Sequence, residues 1–140
     1  MKPIDLNLLP AQDWLTLRLD RLNTPYHAIL AGEVDLDQME AFCGAIRFTL
    51  FEFGANARRY PGRFAETVRV LITITDQVLE AAHEGRAGKP DQPKWTRVID
   101  SITTHREQLR GRLQESTRAQ KAIEINRKRE TQRIAALASV

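Results

Sequence analysis

The hydrophobic positions of the last third of the chain predict one long helix. From Trp95 to Val140 the chain contains no proline and a single glycine, Gly111, and its apolar residues recur at steps of three and four. With Ile99 as heptad position a, the a series is Ile99, Arg106, Leu113, Gln120, Arg127 and Ile134, and the d series is Ile102, Leu109, Ser116, Ile123, Glu130 and Leu137. The polar members fall from Arg106 onward, so we expect a packed first half and a weaker coiled-coil-like seam beyond it.

Shorter helical patterns precede this helix. The first is predicted over 11–22, where the alternation of Leu15, Leu17 and Leu19 leaves a strand as the alternative. Thr24 followed by Pro25 then indicates the start of a separate helical turn that ends near Gly32. Asp35 with Gln38 resembles a capping box and predicts the start of the second helix, which weakens through residues 56–59 and stops before Pro61. Its apolar side chains include Phe48 and Phe51, which lie off the main stripe and indicate a central helix that is apolar on two faces.

The third helix is predicted over 61–84 and is followed by a Gly- and Pro-rich loop over 85–93. The pattern as a whole predicts an all-α helical bundle with a long C-terminal helix that partly protrudes or pairs as a coiled coil. At about 1.5 Å per residue, helices two and three cover only about half of a helix running from 95 to 138. We therefore divide the chain into a bundle body, 1–113, and a basic helical extension, 114–140.

The charge distribution sharpens this division. The 140 residues carry a net charge of +3, but 106–133 hold nine Lys/Arg and four Glu, a net +5 that leaves −2 for the remainder. A basic arm on a slightly acidic body favours an anionic or acidic partner. The four glutamates are close enough to the basic side chains for intrahelical pairs, and the run contains no aromatic residue on which a base could stack. These two features favour a protein partner over nucleic acid.

The residues predicted to bind a partner share a position on the C-terminal helix and are either basic or apolar. They are Arg106, Arg110, Arg118, Lys121, Arg127, Lys128, Arg129, Arg133, Ile134 and Leu137. Arginine favours bidentate pairing with carboxylate or phosphate, and the two apolar residues near the end lie on one helical face. The partner is predicted to be another protein, including a second copy of the chain as a homodimer, with nucleic acid as the alternative.

Patterns that would indicate an enzyme are weak. Glu80 and His83 form half of a ferritin-like di-iron motif, which needs a second such pair. Arg21 and His27 have the spacing used by helical ribonucleases of the HEPN class, but the Thr24-Pro25 signal between them argues against one continuous helix. Zinc-ligand and nucleophile-elbow spacings are absent from the sequence. We expect a protein that is not an enzyme and that binds no metal or cofactor.

The single cysteine, Cys43, excludes an internal disulfide and is predicted to be a small buried residue. The N-terminus lacks a signal-peptide pattern, and no stretch reaches 18 apolar residues. Together these features predict a cytoplasmic protein that does not bind membranes. The leading hypothesis is a non-enzymatic protein–protein interaction protein, a small adaptor, inhibitor or assembly factor that acts through its C-terminal helix. The alternative is an accessory protein that uses the basic helix to bind nucleic-acid phosphates.

Overall fold

The structure, a computed structural model, describes residues 3–4, 13–56 and 61–138, with side chains for 3–4, 19–52 and 65–138. Within these ranges the chain forms four α-helices and no strand: α1 Asp13–Leu30, α2 Leu36–Asn56, α3 Pro61–Gly85 and α4 Gln92–Ala138. The predicted all-α bundle with a long C-terminal helix is confirmed. Helix α4 has 47 residues and continues through Gly111.

The four helices pack as a ring in which α1 and α4 each contact both α2 and α3. Helix α2 runs parallel to α4. Residues near the start of both helices, Glu40 and Lys94, line one groove, and the later residues Phe51 and Glu115 line another groove further along. The core between the helices is apolar, and its largest fully buried side chains are Trp95, Tyr26, Phe42, Leu22, Ile29, Met39, Ile46, Leu71, Ile74 and Ile102. Burial of apolar surface on this scale is the main force that holds the bundle together.

Helix α1 differs from its prediction. The predicted start at Ala11 lies outside the described residues, and the predicted break at Thr24-Pro25 was wrong because α1 continues to Leu30. Pro25 lacks the N–H that would donate to the carbonyl of Arg21, so a proline at this position normally weakens a helix. Here Leu22, Tyr26 and Ile29 are all buried, and the packing of these side chains favours the continuous helix.

The turn between α1 and α2 follows its prediction. Gly32 has a φ of 106°, a backbone conformation that glycine adopts without strain, and the N–H of Glu33 donates to the carbonyl of Ala28 at 2.9 Å. The N–H of Gln38 donates to Asp35 Oδ1 at 2.9 Å, which caps the start of α2 as the sequence predicted.

Tyr26 connects α1 to α3 within the core. Its hydroxyl donates a hydrogen bond to Gln77 Oε1 and accepts one from the N–H of Ile4 at 2.9 Å. Burial raises the pKa of Tyr26 above its ordinary value of 10.0, an effect that the hydrogen bond from Ile4 partly opposes. The polar end of this aromatic side chain is therefore satisfied although the residue is buried.

Helix α3 ends where it closely approaches the α1–α2 turn. A Cβ atom added at Gly85 would lie 2.6 Å from Val34 Cγ1 and 2.8 Å from Val34 Cβ. Only glycine fits here without displacing the neighbouring turn. The loop that follows is short, and the Arg86 side chain donates hydrogen bonds to Gln92 Oε1 and Thr96 Oγ1 at 2.9 and 2.8 Å. These bonds fix the start of α4 against the end of α3.

Candidate interaction surface

Helix α4 passes from buried to exposed along its length. Its buried residues are Trp95, Val98, Ile99, Ile102, Leu109 and Ser116. Beyond Thr117, which is half-buried, every residue from 121 to 138 is exposed. At about 1.5 Å per residue, the exposed end extends on the order of 30 Å beyond the bundle. We call residues 118–138 the overhang.

Four large apolar side chains of the overhang are exposed. The exposed fractions are 44% for Ile123, 49% for Ile125, 62% for Ile134 and 69% for Leu137. Scattered single apolar residues are common on protein surfaces, so their arrangement decides whether they form a binding surface.

Three of these side chains share the side of α4 that packs against the body. Successive residues of an α-helix are rotated by about 100°, which places Ile123, Ile134 and Leu137 within about 80° of the direction of Leu109. We call these three residues the apolar stripe. Ile125 points to roughly the opposite side by the same calculation. The stripe therefore continues the core-facing side of α4 past the point where the body ends.

Three of the basic side chains in the run predicted from the sequence belong to the body and form ion pairs. Arg106 is half-buried, and its Nη1 lies 3.2 Å from Asp76 Oδ1 on α3. Within α4, the Nη1 atom of Arg110 contacts Glu107 Oε1 at 2.7 Å, and the Nη1 atom of Arg112 lies 3.5 Å from Glu115 Oε2. Arg106 and Arg110 were both among the predicted partner-binding residues, and in the structure their charges are compensated.

The remaining basic side chains lie on the overhang, are exposed and form no ion pair with any other described residue. They are Arg118, Lys121, Arg127, Lys128, Arg129 and Arg133. The expected pairing with glutamate is found at Glu107 and Glu115, whereas Glu124 and Glu130 make no such contact within the described part of the chain. An exposed ion pair gains little free energy against the entropy of two long side chains.

The charges of the overhang are arranged around the apolar stripe. Residues 118–138 carry six basic and two acidic side chains, a net charge of +4. By the rotation of about 100° per residue, Arg118, Lys128 and Arg129 point away from the stripe, Arg133 borders it next to Leu137, and Arg127 and Glu130 lie on the same side as the stripe. The overhang thus has a basic outer face and a mixed apolar and charged inner face.

The structure also reveals an exposed aromatic side chain that the sequence pattern placed incorrectly. Phe51 is 73% exposed, so the predicted second buried face of α2 is wrong at this position. Phe51 borders an open groove of about 290 Å³ between α2 and α4 that is also lined by Gly111 and Glu115. The neighbouring Phe48 is half-buried and lies under the guanidinium of Arg21, 5.5 Å from the ring centroid. In the sequence, the exposure of these two rings was indicated only by their positions off the main apolar stripe of α2.

The residues that suggested an enzyme are not assembled into a catalytic arrangement by the described part of the structure. Arg21 faces the ring of Phe48, while His27 packs edge-on against Tyr26 with ring centroids 5.2 Å apart. His83 lines a wide groove of about 640 Å³ with Asp76, Glu80 and Arg106, among others. No group of three His, Cys, Asp or Glu in the described residues could hold a metal ion.

Cys43 is buried at the groove between α2 and α4, and burial raises the pKa of its thiol above its ordinary value. The nearby Arg47 partly opposes this shift through a hydrogen bond and its charge. The thiol is thus held in its protonated, less reactive form, as expected for a small buried side chain.

No protein-family model, curated protein or solved structure matches the chain. None of the described helices combines the length and the apolar composition that crossing a bilayer requires.

Proposed function

We propose that this protein is a non-enzymatic protein–protein interaction protein that binds its partner through the α4 overhang. It acts as a small adaptor, inhibitor or assembly factor in the cytoplasm, where its single free cysteine stays reduced. The observation that carries the proposal is the apolar stripe, because Ile123, Ile134 and Leu137 are exposed on the side of α4 that is buried elsewhere. Solvent alone gives no reason to align these residues, whereas a helical partner would bury them.

The charge of the overhang favours an acidic protein surface around such a contact. Arg127 and Arg133 border the stripe on its two sides, form no ion pair with any other described residue, and are available for bidentate pairing with carboxylates. Arginine is also a residue that contributes strongly at protein interfaces, because its long side chain packs and hydrogen-bonds at once. The stripe supplies the buried centre of the interface and the basic residues supply its rim.

Affinity capture from the source cell tests the proposal. Full-length protein and the variant Ile123→Ser/Ile134→Ser/Leu137→Ser serve as baits, and Ile125→Ser is the matched control on the opposite side of α4. We expect a partner that is retained by the wild type and the control and lost by the triple variant. The free energy of unfolding should be the same for all baits within about 0.5 kcal/mol, because these positions are exposed. A partner retained equally by the triple variant would contradict the proposal.

Nucleic-acid binding is the second candidate, and it is favoured by the overhang's net charge of +4 and by its basic side chains, which pair with no acidic side chain among the described residues. Contacts of this kind would be made to phosphates, so the affinity would fall steeply with salt. Fluorescence anisotropy with duplex and single-stranded probes, from low to physiological salt, measures this dependence. The variant Arg127→Ala/Lys128→Ala/Arg129→Ala should reduce both the affinity and the salt slope, whereas Arg110→Ala, which removes a paired charge, should not. Affinity that is unchanged by the triple variant would eliminate this candidate.

A further inference from the structure

We propose that the partner of the overhang is a second copy of the same chain, and that the two overhangs pair antiparallel about a two-fold axis passing between Lys128 and Arg129. The inference rests on the proposed function and names its partner. It comes from the order of residues on the inner face of α4, which is Gln120, Ile123, Arg127, Glu130, Ile134 and Leu137.

The order of these six residues is self-complementary. In an antiparallel pair of helices related by a two-fold axis, residues at equal distances from the axis face one another, and each contact occurs twice. The proposed axis places Ile123 opposite Ile134 of the second copy and Arg127 opposite Glu130 of the second copy. Gln120 then faces Leu137. The two apolar layers lie on either side of two Arg–Glu layers, so no charge faces an isoleucine.

Other arrangements of the same two helices are less favourable. A parallel pair would place Arg127 opposite Arg127 and Glu130 opposite Glu130, and like charges at facing positions are destabilising. An antiparallel pair shifted by one heptad would place Arg127 opposite Leu137 or opposite Ile123. Either shift would bury the Arg127 guanidinium against an aliphatic side chain, with no carboxylate to pair with it. The two charged positions therefore select both the direction and the register.

The length of the overhang fits this register. The paired segment runs from Gln120 to Leu137 in both copies, which is nearly the whole exposed part of α4. The end of each helix would reach residue 120 of the other copy, a few residues beyond Ser116, the last buried residue of α4. The second overhang would then run antiparallel to α4 beyond the body, on the side where α2 and α3 pack against the first half.

The flanking positions of this arrangement bring no like charges together. Heptad positions e and g border the seam, and here they place Asn126 near Arg133 and Glu124 near Thr131 of the second copy. Arg118, Lys121, Lys128 and Arg129 occupy outward positions b, c and f. The charge of the overhang thus remains on the outer faces of the pair. Because the seam has only two isoleucine layers, we expect weak, concentration-dependent association.

Charge exchange at the seam tests the pairing in the full-length protein. Sedimentation equilibrium over low-micromolar to submillimolar concentrations should show a monomer–dimer equilibrium for the wild type. Arg127→Glu or Glu130→Arg alone should weaken self-association by about tenfold or more, because each places like charges in both central layers. An equimolar mixture of the two variants should restore the dimer, and so should the double exchange. Arg97→Glu makes the same change in net charge as Arg127→Glu at an exposed position of α4 within the body and should leave the equilibrium unchanged within about twofold.

Disulfide cross-linking tests the direction. Oxidation of an equimolar mixture of the Ile123→Cys and Ile134→Cys proteins should give mainly the mixed disulfide, since facing positions have the short Cβ separation that a disulfide needs. Each variant alone should give little dimer. Predominant homodimeric disulfides from each variant alone would instead show parallel pairing and overturn the inference.

The two proposals fail in different ways. A wild-type protein that stays monomeric at every concentration, while its capture of another protein still depends on the apolar stripe, overturns self-pairing and supports the proposed function. Self-association that is insensitive to the changes at Arg127, Glu130 and the stripe overturns the self-pairing inference. If the triple variant of the stripe also captures every partner as well as the wild type does, both proposals are overturned.

Discussion

The two halves of α4 are parts of one helix that depend on different kinds of stabilisation. The first half buries Trp95, Ile102 and Leu109 against α2 and α3, whereas every residue from 121 to 138 is exposed. Tertiary packing supplies most of the stability of helices in globular proteins, and a short isolated helix is marginal in water. The packed half removes the need for separate nucleation, so the overhang has only to extend an existing helix. A bundle can therefore expose the side of a helix without a core beneath it.

Truncation of one large side chain in each half of α4 should give the largest difference in stability between the two halves. Trp95 is 1% exposed, and we expect Trp95→Ala to lower the free energy of unfolding by about 3–5 kcal/mol through lost burial and the resulting cavity. Leu137→Ala, at a residue that is 69% exposed, should change it by less than about 0.5 kcal/mol at concentrations where the protein is monomeric. Urea denaturation followed by circular dichroism measures both. Comparable losses for the two variants would contradict the division of α4.

Two glycines allow a closely packed helix end to be compared with an open position within α4. Gly85→Ala should destabilise the protein by about 1–3 kcal/mol, because the new methyl group would overlap Val34 at the close approach of α3 to the α1–α2 turn. Gly111→Ala meets no atom within 4 Å and should stabilise the protein by about 0.5–1 kcal/mol through the higher helix propensity of alanine. Thermal and urea unfolding of both variants give the two signs. A stabilising effect of Gly85→Ala would show that the turn at Val34 shifts at little cost to accommodate the methyl group.

Tyr26 gives a smaller, pH-dependent test of the packed body. Tyr26→Phe removes the hydrogen bonds to Gln77 and from Ile4 and should cost about 1–2 kcal/mol near neutral pH. The raised pKa of Tyr26 means that the folded state holds the phenol neutral while the unfolded chain ionises, so wild-type stability should fall as pH rises above about 10. The difference between wild type and variant should therefore narrow between about pH 8 and about pH 11 in urea titrations. A constant difference across this range would argue against a buried, neutral phenol.

Local sequence signals predicted the elements well where they agreed with packing, and less well where packing opposed them. The Asp35–Gln38 cap and the positive φ of Gly32 follow from side-chain and backbone chemistry within a few residues. The Thr24-Pro25 signal failed because Leu22, Tyr26 and Ile29 stabilise α1 on both sides of the proline. Phe51 was assigned to a buried face because hydrophobicity by itself does not show whether a neighbouring helix covers a side chain.

For the candidate surface too, local patterns in the sequence did not show which side chains other helices contact or cover. Ile134, Leu137 and the basic run could be selected from the sequence because heptad spacing and charge are local properties. The ion pair between Arg106 and Asp76 joins residues on different helices and could not be predicted from either helix separately. The heptad series predicted Ile123 as part of the weak seam, but the degree of its exposure depends on where the neighbouring helices end.

The helical character of the protein, the length of its last helix and the positive charge of that helix follow from the sequence, because helix periodicity, helix-breaking residues and charge are local properties. How far the body covers α4 is a property of the fold, since burial depends on the relative lengths and positions of separate helices. That boundary, just beyond Ser116, turns an ordinary heptad pattern into an exposed apolar stripe between charged residues.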